Sequence, residues 1–210
     1  AHQSGSRLGL SRPNRREADL TCRMTPSEIA KSYDQLADNW NSDEFPRDNG
    51  IEQHKRAIAF LKEKRHALDV GCGSSGRIID LLISRGFDVE GLDISSRMIE
   101  LAKQRHPNGT FHHADIGAWS FPRKYDLISA WDSIWHIPLR EQEPVLKKIL
   151  HGLTSGGVCI FTTGGLDAPS EKVDSAMGPQ MYYSVLGIPN LLKLISEAGC
   201  ICRHLEYDQY

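Results

Sequence analysis

The chain has 210 residues, 40% of them hydrophobic and 25% charged, with a mean hydropathy of −0.41, a composition that builds one buried core and lies far from that of disordered chains. Twenty-five Lys and Arg against 27 Asp and Glu leave a net charge of −2, which gives no electrostatic footprint for a nucleic-acid backbone. No apolar run reaches the ~18 residues of a membrane span or forms a secretory signal, so nucleic acid, membrane and export are all disfavoured.

Residues 1–23 carry five arginines and little apolar periodicity, and read as a flexible leader or added sequence. A single domain is expected over 24–210. Thr25-Pro26-Ser27-Glu28 reads as a capping box, with Thr25 as N-cap, Pro26 at the first helical position and Glu28 reaching back. Ile29, Tyr33, Leu36 and Trp40 then share one helical stripe, predicting a cap helix over 25–40. A second helix is expected over 51–64. From there short apolar strands alternate with helices: strands at 67–71, 87–93, 111–114, 125–131, 158–163 and 200–206, helices at 75–85, 96–105, 141–151 and 189–198. This order predicts an α/β fold with a Rossmann-like, doubly wound, mainly parallel sheet covered by helices on both faces.

The five cysteines, Cys22, Cys72, Cys159, Cys200 and Cys202, show no C-x-x-C pair and no zinc-ligand spacing, so a reducing cytoplasm is expected and no metal. His112 and His113 are adjacent on a predicted strand, where neighbours point to opposite faces.

The first strand ends in Leu68-Asp69-Val70-Gly71-Cys72-Gly73-Ser74-Ser75-Gly76, a G-x-G-x-x-G turn that runs into a helix. Glycines allow close backbone approach to a ligand and the helix start offers unpaired amides. Asp93 ends the second strand 22 positions after Gly71, where an acid accepts hydrogen bonds from ribose hydroxyls. The pattern calls for a nucleoside cofactor. Asp69 decides its kind, because a carboxylate two residues before Gly71 disfavours a pyrophosphate and suits a ligand bearing ammonium and sulfonium charges.

Together Asp69-Val70-Gly71-Cys72-Gly73-Ser74, Gly91-Leu92-Asp93-Ile94-Ser95 and Ala114-Asp115-Ile116 resemble the successive motifs of class I S-adenosylmethionine-dependent methyltransferases. The likeness runs from Tyr33 to about Glu206. It includes Tyr33-Asp34-Gln35-Leu36-Ala37, Trp131-Asp132-Ser133-Ile134-Trp135-His136 and Leu153-Thr154-Ser155-Gly156-Gly157. The resemblance implies S-adenosyl-L-methionine as cofactor and a small-molecule acceptor, the alternatives being an NAD(P)-dependent oxidoreductase or a cofactor-binding protein with little activity. It implies that Gly71, Cys72 and Gly73 border the methionine part beside Asp69. Asp93 would take the ribose, Ile94 or Met98 the adenine ring, and Asp115 the adenine amino group with Ile116 beside it. Trp131 would adjoin the cofactor at the end of the fourth strand. Plainer roles stand beside these: a helix cap for Asp93 and Ser95, ordinary core for Ile94 and Met98, a turn for Asp115.

Methyl transfer is an in-line displacement in which positioning supplies much of the acceleration. His136 is the candidate general base and Asp132 a substrate-orienting acid or helix cap. Trp131 and Trp135 are candidates for an aromatic wall around the acceptor. Acceptor specificity is expected from Tyr33 and Trp40 on the first helix and from a movable cover over 164–189 carrying Tyr182 and Tyr183. The chain stops at Tyr210 after the sixth strand, so the last antiparallel strand of the family sheet is expected to be missing. An unpaired sixth strand predicts homo-oligomerisation or local disorder through 200–210.

Overall fold

A computed structural model describes residues 24–42 and 44–207. The predicted leader over 1–23 and the last three positions of the predicted edge fall outside the described residues. Helix α1, Pro26–Asn41, starts as its capping box requires: the Thr25 hydroxyl accepts from Glu28 N at 3.3 Å, and Thr25 N donates to Glu28 Oε2 at 2.7 Å. Helix α2 is Ile51–Ala59, shorter than expected. The reason is Asp126, whose carboxylate accepts from the backbone N–H groups of Arg65 and His66 and draws that segment out into β1, His66–Val70.

There follow α3 Arg77–Ser84, β2 Asp88–Asp93, α4 Ser96–Arg105, β3 Thr110–His113, β4 Tyr125–Ala130, a short 3-10 turn Ile134–His136, α5 Leu139–His151 and β5 Leu153–Phe161. The five strands form one parallel sheet in the order β3-β2-β1-β4-β5. Its faces follow the period of two. Leu68, Val70, Leu92 and Ile128 pack with Val145, Leu146, Ile149 of α5 and with Leu191 and Leu194, whereas Ala67 and Leu127 pack with Ile58, Ile78, Leu81 and Leu82 of α2 and α3. Every residue of β4 is buried, as a central parallel strand covered on both sides requires. Strand order reverses between β1 and β4, so a crevice opens beyond their carboxyl ends.

After β5 the structure gives the expected cover segment its form and corrects the expected sixth strand. Segment 164–189 holds an antiparallel hairpin, β6 Ser170–Asp174 and β7 Met181–Val185, leading into α6, Ile188–Glu197. Its register, Ser170 opposite Val185 through Asp174 opposite Met181, puts Met181 and Tyr182 against Ile29 and Leu36 of α1. The two pieces expected to cover the site are thus packed on each other. The predicted sixth strand does not form: residues 201–207 belong to no sheet. Alternation sets only the sides that side chains take, and pairing decides a strand; here Ile201, Leu205 and Tyr207 stay 73%, 50% and 63% exposed. Among the described residues, no helix is long and apolar enough to cross a membrane.

Candidate active site

The glycine turn after β1 is shaped by its neighbours. Gly71, Gly73 and Gly76 all have positive φ (73°, 58° and 71°). Gly71 N and Cys72 N donate to Leu92 O at 2.7 and 3.0 Å, and Ser133 Oγ donates to Val70 O at 2.8 Å. Asp93 closes the arrangement by accepting from Gly73 N at 2.9 Å and Ser95 N at 2.8 Å. Burial raises the Asp93 carboxyl above its ordinary range against the pull of those amides. Ser95 caps α4 by accepting from Met98 N at 3.1 Å, and its hydroxyl donates to Asp34 Oδ1 at 2.6 Å, so α1 is tied to the start of α4.

Gly71, Gly73, Leu92, Asp93 and Ser133 form one wall of a cavity of about 390 Å³. Cys72, Ile94, Met98, Asp115, Ile116 and Trp131 also line it, so nearly all of the expected cofactor set meets in one place. Asp115 is at the same time the turn residue of the plainer alternative, accepting from Gly117 N at 2.7 Å. Asp69 does not line the cavity. It lies one layer beneath, 3% exposed beside Ser129, and burial pushes its carboxyl up to about 6. Burial also holds the Cys72 thiol well above its ordinary value, which leaves no thiolate for nucleophilic chemistry.

The cavity continues into a chamber lined by Tyr33, Trp40, Trp135, His136, Met177 and Tyr183. Tyr182 is not part of it: it is 1% exposed, and its hydroxyl donates to Glu171 Oε2 at 2.5 Å and accepts from Leu139 N at 3.0 Å. His136 is buried among partners. Its Nδ1 is 2.7 Å from Tyr182 O, and its Nε2 is 2.6 Å from Tyr33 Oη and 3.1 Å from Trp135 Nε1. Burial drives the imidazole down to about 4, so at neutral pH it is uncharged.

Sequence reasoning missed the pair that frames the far side, Asn49 and Arg77. Arg77 opens α3, where a cation opposes the helix dipole and reads as a surface residue. In the fold its guanidinium packs 5.1 Å from the Phe45 ring centre, donates to Asn49 O at 3.0 Å and lies 3.6 Å from Asp132 Oδ2. Asn49 Nδ2 also donates to Asp132 Oδ2 at 3.0 Å. Asp132 is the one described non-glycine residue with positive φ, 53°, a strain of the kind that functional sites retain. Its position straight after the fourth strand was the available signal.

Four carboxylates, Asp93, Asp115, Asp132 and Glu141, line the cavity against the single guanidinium of Arg77. Among the described residues the site is therefore acidic, and it suits a cationic ligand better than a pyrophosphate. Space is left for one: a Cβ built on Gly73 meets nothing within 4 Å.

Residues 67–157 match the sequence model of a family described as a methyltransferase domain. The trans-aconitate 2-methyltransferase of Rhizobium etli is 36% identical over 100 residues, 47% of this chain and 38% of that protein. The dTDP-3-amino-3,6-dideoxy-alpha-D-glucopyranose N,N-dimethyltransferase of Streptomyces fradiae is 30% identical over 140 residues, 63% of this chain and 52% of that one. The chain thus spans only two fifths to half the length of these relatives. Among solved structures, a SAM-dependent methyltransferase of Leishmania major superposes with a TM-score of 0.66 at 20% identity, covering 87% of this chain and 78% of that chain.

Proposed function

We propose that this chain is a class I S-adenosylmethionine-dependent methyltransferase, a reading supported by its matches to a methyltransferase domain and to methyltransferase relatives, and that it transfers the cofactor's methyl group to a small organic acceptor. The observation that carries the proposal is the single cavity joining the glycine turn, Asp93 and Asp115 to the aromatic chamber of Tyr33, Trp40, Trp135 and Tyr183. The relatives named for trans-aconitate and for an amino sugar nucleotide agree on small acceptors. Four described cysteines remain free thiols, which supports work in a reducing cytoplasm.

When bound, S-adenosylmethionine supplies a methyl group on an already activated sulfonium leaving group. Asp93 would hold the ribose, its carboxylate pre-oriented by Gly73 N and Ser95 N. Gly71 and Gly73 would border the amino-acid part, and the cavity-lining Asp115, Ile116, Ile94 and Met98 the adenine. Asp69 would act from beneath as charge rather than by contact. Tyr33 and Trp40, on a helix tied to α4 through Asp34 and Ser95, would exclude water and orient the acceptor, which is where a displacement of this kind gains most.

Calorimetry with S-adenosylhomocysteine tests the proposal. Binding in the micromolar range, lost at least about tenfold in Asp93→Ala and absent with NADH, is the expected result. Absence of heat at millimolar S-adenosylhomocysteine would refute it.

A further inference from the structure

The chamber contains a hydrogen-bond chain in which each proton can be assigned from donor and acceptor chemistry alone. A backbone carbonyl only accepts, so His136 Nδ1, 2.7 Å from Tyr182 O, carries a proton. An indole N–H only donates, so His136 Nε2, 3.1 Å from Trp135 Nε1, presents its lone pair. Tyr33 Oη, at 2.6 Å from the same unprotonated Nε2, is the shorter contact and donates to it, sharing the one lone pair with the longer Trp135 N–H contact. The proton of Tyr33 therefore points away from the cavity, and only oxygen lone pairs face the acceptor. Tyr33 keeps that proton, since burial and the nearby carboxylates Asp93 and Asp132 raise its hydroxyl far above the ordinary value.

We propose that the methyl acceptor is a neutral amine whose N–H donates to Tyr33 Oη, and that His136 is a positioning residue that fixes Tyr33 as a hydrogen-bond acceptor. The inference rests on the methyltransferase reading above and adds the acceptor class to it. A carboxylate has no proton to offer these lone pairs, and an unmatched polar contact in a buried chamber is disfavoured. An alcohol has a proton but must shed it as it is methylated; the Tyr33 chain that would receive it ends on His136, a buried imidazole held down to about 4, and the cavity carboxylates Asp132 and Glu141 are already engaged by Asn49 and Arg77 and by Arg140. An amine needs no such step. Its nitrogen lone pair forms the N–C bond, the C–S bond breaks with its electron pair going to sulfur, and the positive charge passes from sulfur to nitrogen. The new ammonium is left beside Tyr33, the ring of Tyr183, and the carboxylates of Asp132 and Glu141, all of which line the same cavity; its proton departs later, to solvent.

Matched probes read the inference directly: glucosamine, glucose and glucuronate, with cyclohexylamine, cyclohexanol and cyclohexanecarboxylate, each supplied with methyl-labelled S-adenosylmethionine. The amine of each set should take at least about ten times the label of its partners. Its kcat/KM should climb with pH as the probe's own ammonium loses its proton, in the same way for His136→Gln as for the parent, the groups facing Tyr33 being Asp93, Asp132, Tyr183 and His136. Tyr33→Phe should lose most of the labelling with the dissociation constant for S-adenosylhomocysteine changed less than about threefold. His136→Gln, whose amide oxygen still accepts from Tyr33, should keep the amine preference; His136→Phe, which frees the Tyr33 proton, should erode it. Independently of turnover, nitrogen NMR of the histidines at pH 7 should give His136 as the neutral Nδ1–H tautomer. Label favouring alcohols or carboxylates, an Nε2–H or charged His136, or S-adenosylhomocysteine binding with no amine labelled would each overturn the inference and leave the methyltransferase reading standing. No binding of S-adenosylhomocysteine would take down both.

Discussion

The Cβ of Ser133 lies 2.3 Å from where a Cβ on Gly71 would stand. Gly71 also has a φ of 73°, so Gly71→Ala meets both backbone strain and a collision with the segment that follows β4. A loss of about 1–3 kcal/mol in stability is expected, with S-adenosylhomocysteine binding lost as the turn shifts. Gly73→Ala should separate the two effects. At a φ of 58° with open space ahead, the strain alone costs about 1 kcal/mol, yet the methyl group enters the cavity and should weaken binding at least about tenfold. Urea unfolding and calorimetry on both variants check this, and equal binding by Gly73→Ala and the parent would count against a ligand over the turn.

Lys148 on α5 serves the loop after β3. Its ammonium reaches the carbonyl of Ile116 and those of Gly117 at 2.8 Å and Trp119 at 3.0 Å, three acceptors that would otherwise splay the segment lining the cavity at Asp115 and Ile116. Lys148→Met keeps the stem and removes the donors. The dissociation constant for S-adenosylhomocysteine should rise about three- to tenfold with kcat little changed, because the loop touches the cofactor side alone. A fall in kcat at unaltered cofactor KM would contradict this role.

What was legible in the sequence was local or carried by a backbone constraint. Thr25 and Glu28 are three residues apart and form their capping box without help from the rest of the fold. The glycine turn and Asp93 likewise needed only two adjacent parallel strands. The hairpin was hidden because Ser170-Glu171-Lys172-Val173-Asp174 is polar and mostly exposed, and only its pairing with β7 and the packing on α1 make it a strand. Tyr182 and Tyr183 are neighbours in sequence but point to opposite faces of β7, one into the protein and one into the chamber, a choice set by the hairpin register. Arg77 and Asn49 are 28 positions apart, and no spacing rule links them; the left-handed Gly50 and Gly76 that begin α2 and α3 bring them together.

The Tyr182 hydroxyl bridges Glu171 of β6 and the backbone N–H of Leu139 at the start of α5. Tyr182→Phe leaves that N–H and a carboxylate oxygen short of a partner. A loss of about 1–2 kcal/mol is expected, with binding of S-adenosylhomocysteine unchanged, since this face of β7 lies outside the cavity. Thermal denaturation with and without S-adenosylhomocysteine measures both, and altered affinity would place Tyr182 in the site after all.

Four buried groups set the response to acid. His54 donates through Nδ1 to Gly50 O at 2.6 Å and meets Ser129 Oγ at 3.0 Å through Nε2. Burial lowers both His54 and His136 from 6.5 to about 4. Between those values the unfolded chain binds more protons than the folded one, so each histidine makes stability rise with pH from about 4 to 6.5 and lost again on acidification. Asp69 has the opposite sign: raised by burial from 3.8 to about 6, it stabilises the fold as pH falls through that window, and Asp93, also raised by burial, acts in the same sense. Two depressed histidines outweigh Asp69 above pH 5, because the histidine window reaches higher. Stability should therefore fall by roughly 2 kcal/mol between pH 7 and pH 5. His54→Gln should flatten the slope by removing one of the two groups, and Asp69→Asn should steepen it by removing the opposing one. Urea unfolding at the two pH values reads all three proteins; a parent protein more stable at pH 5 than at pH 7 would show that the carboxylates, not the imidazoles, dominate the buried charge.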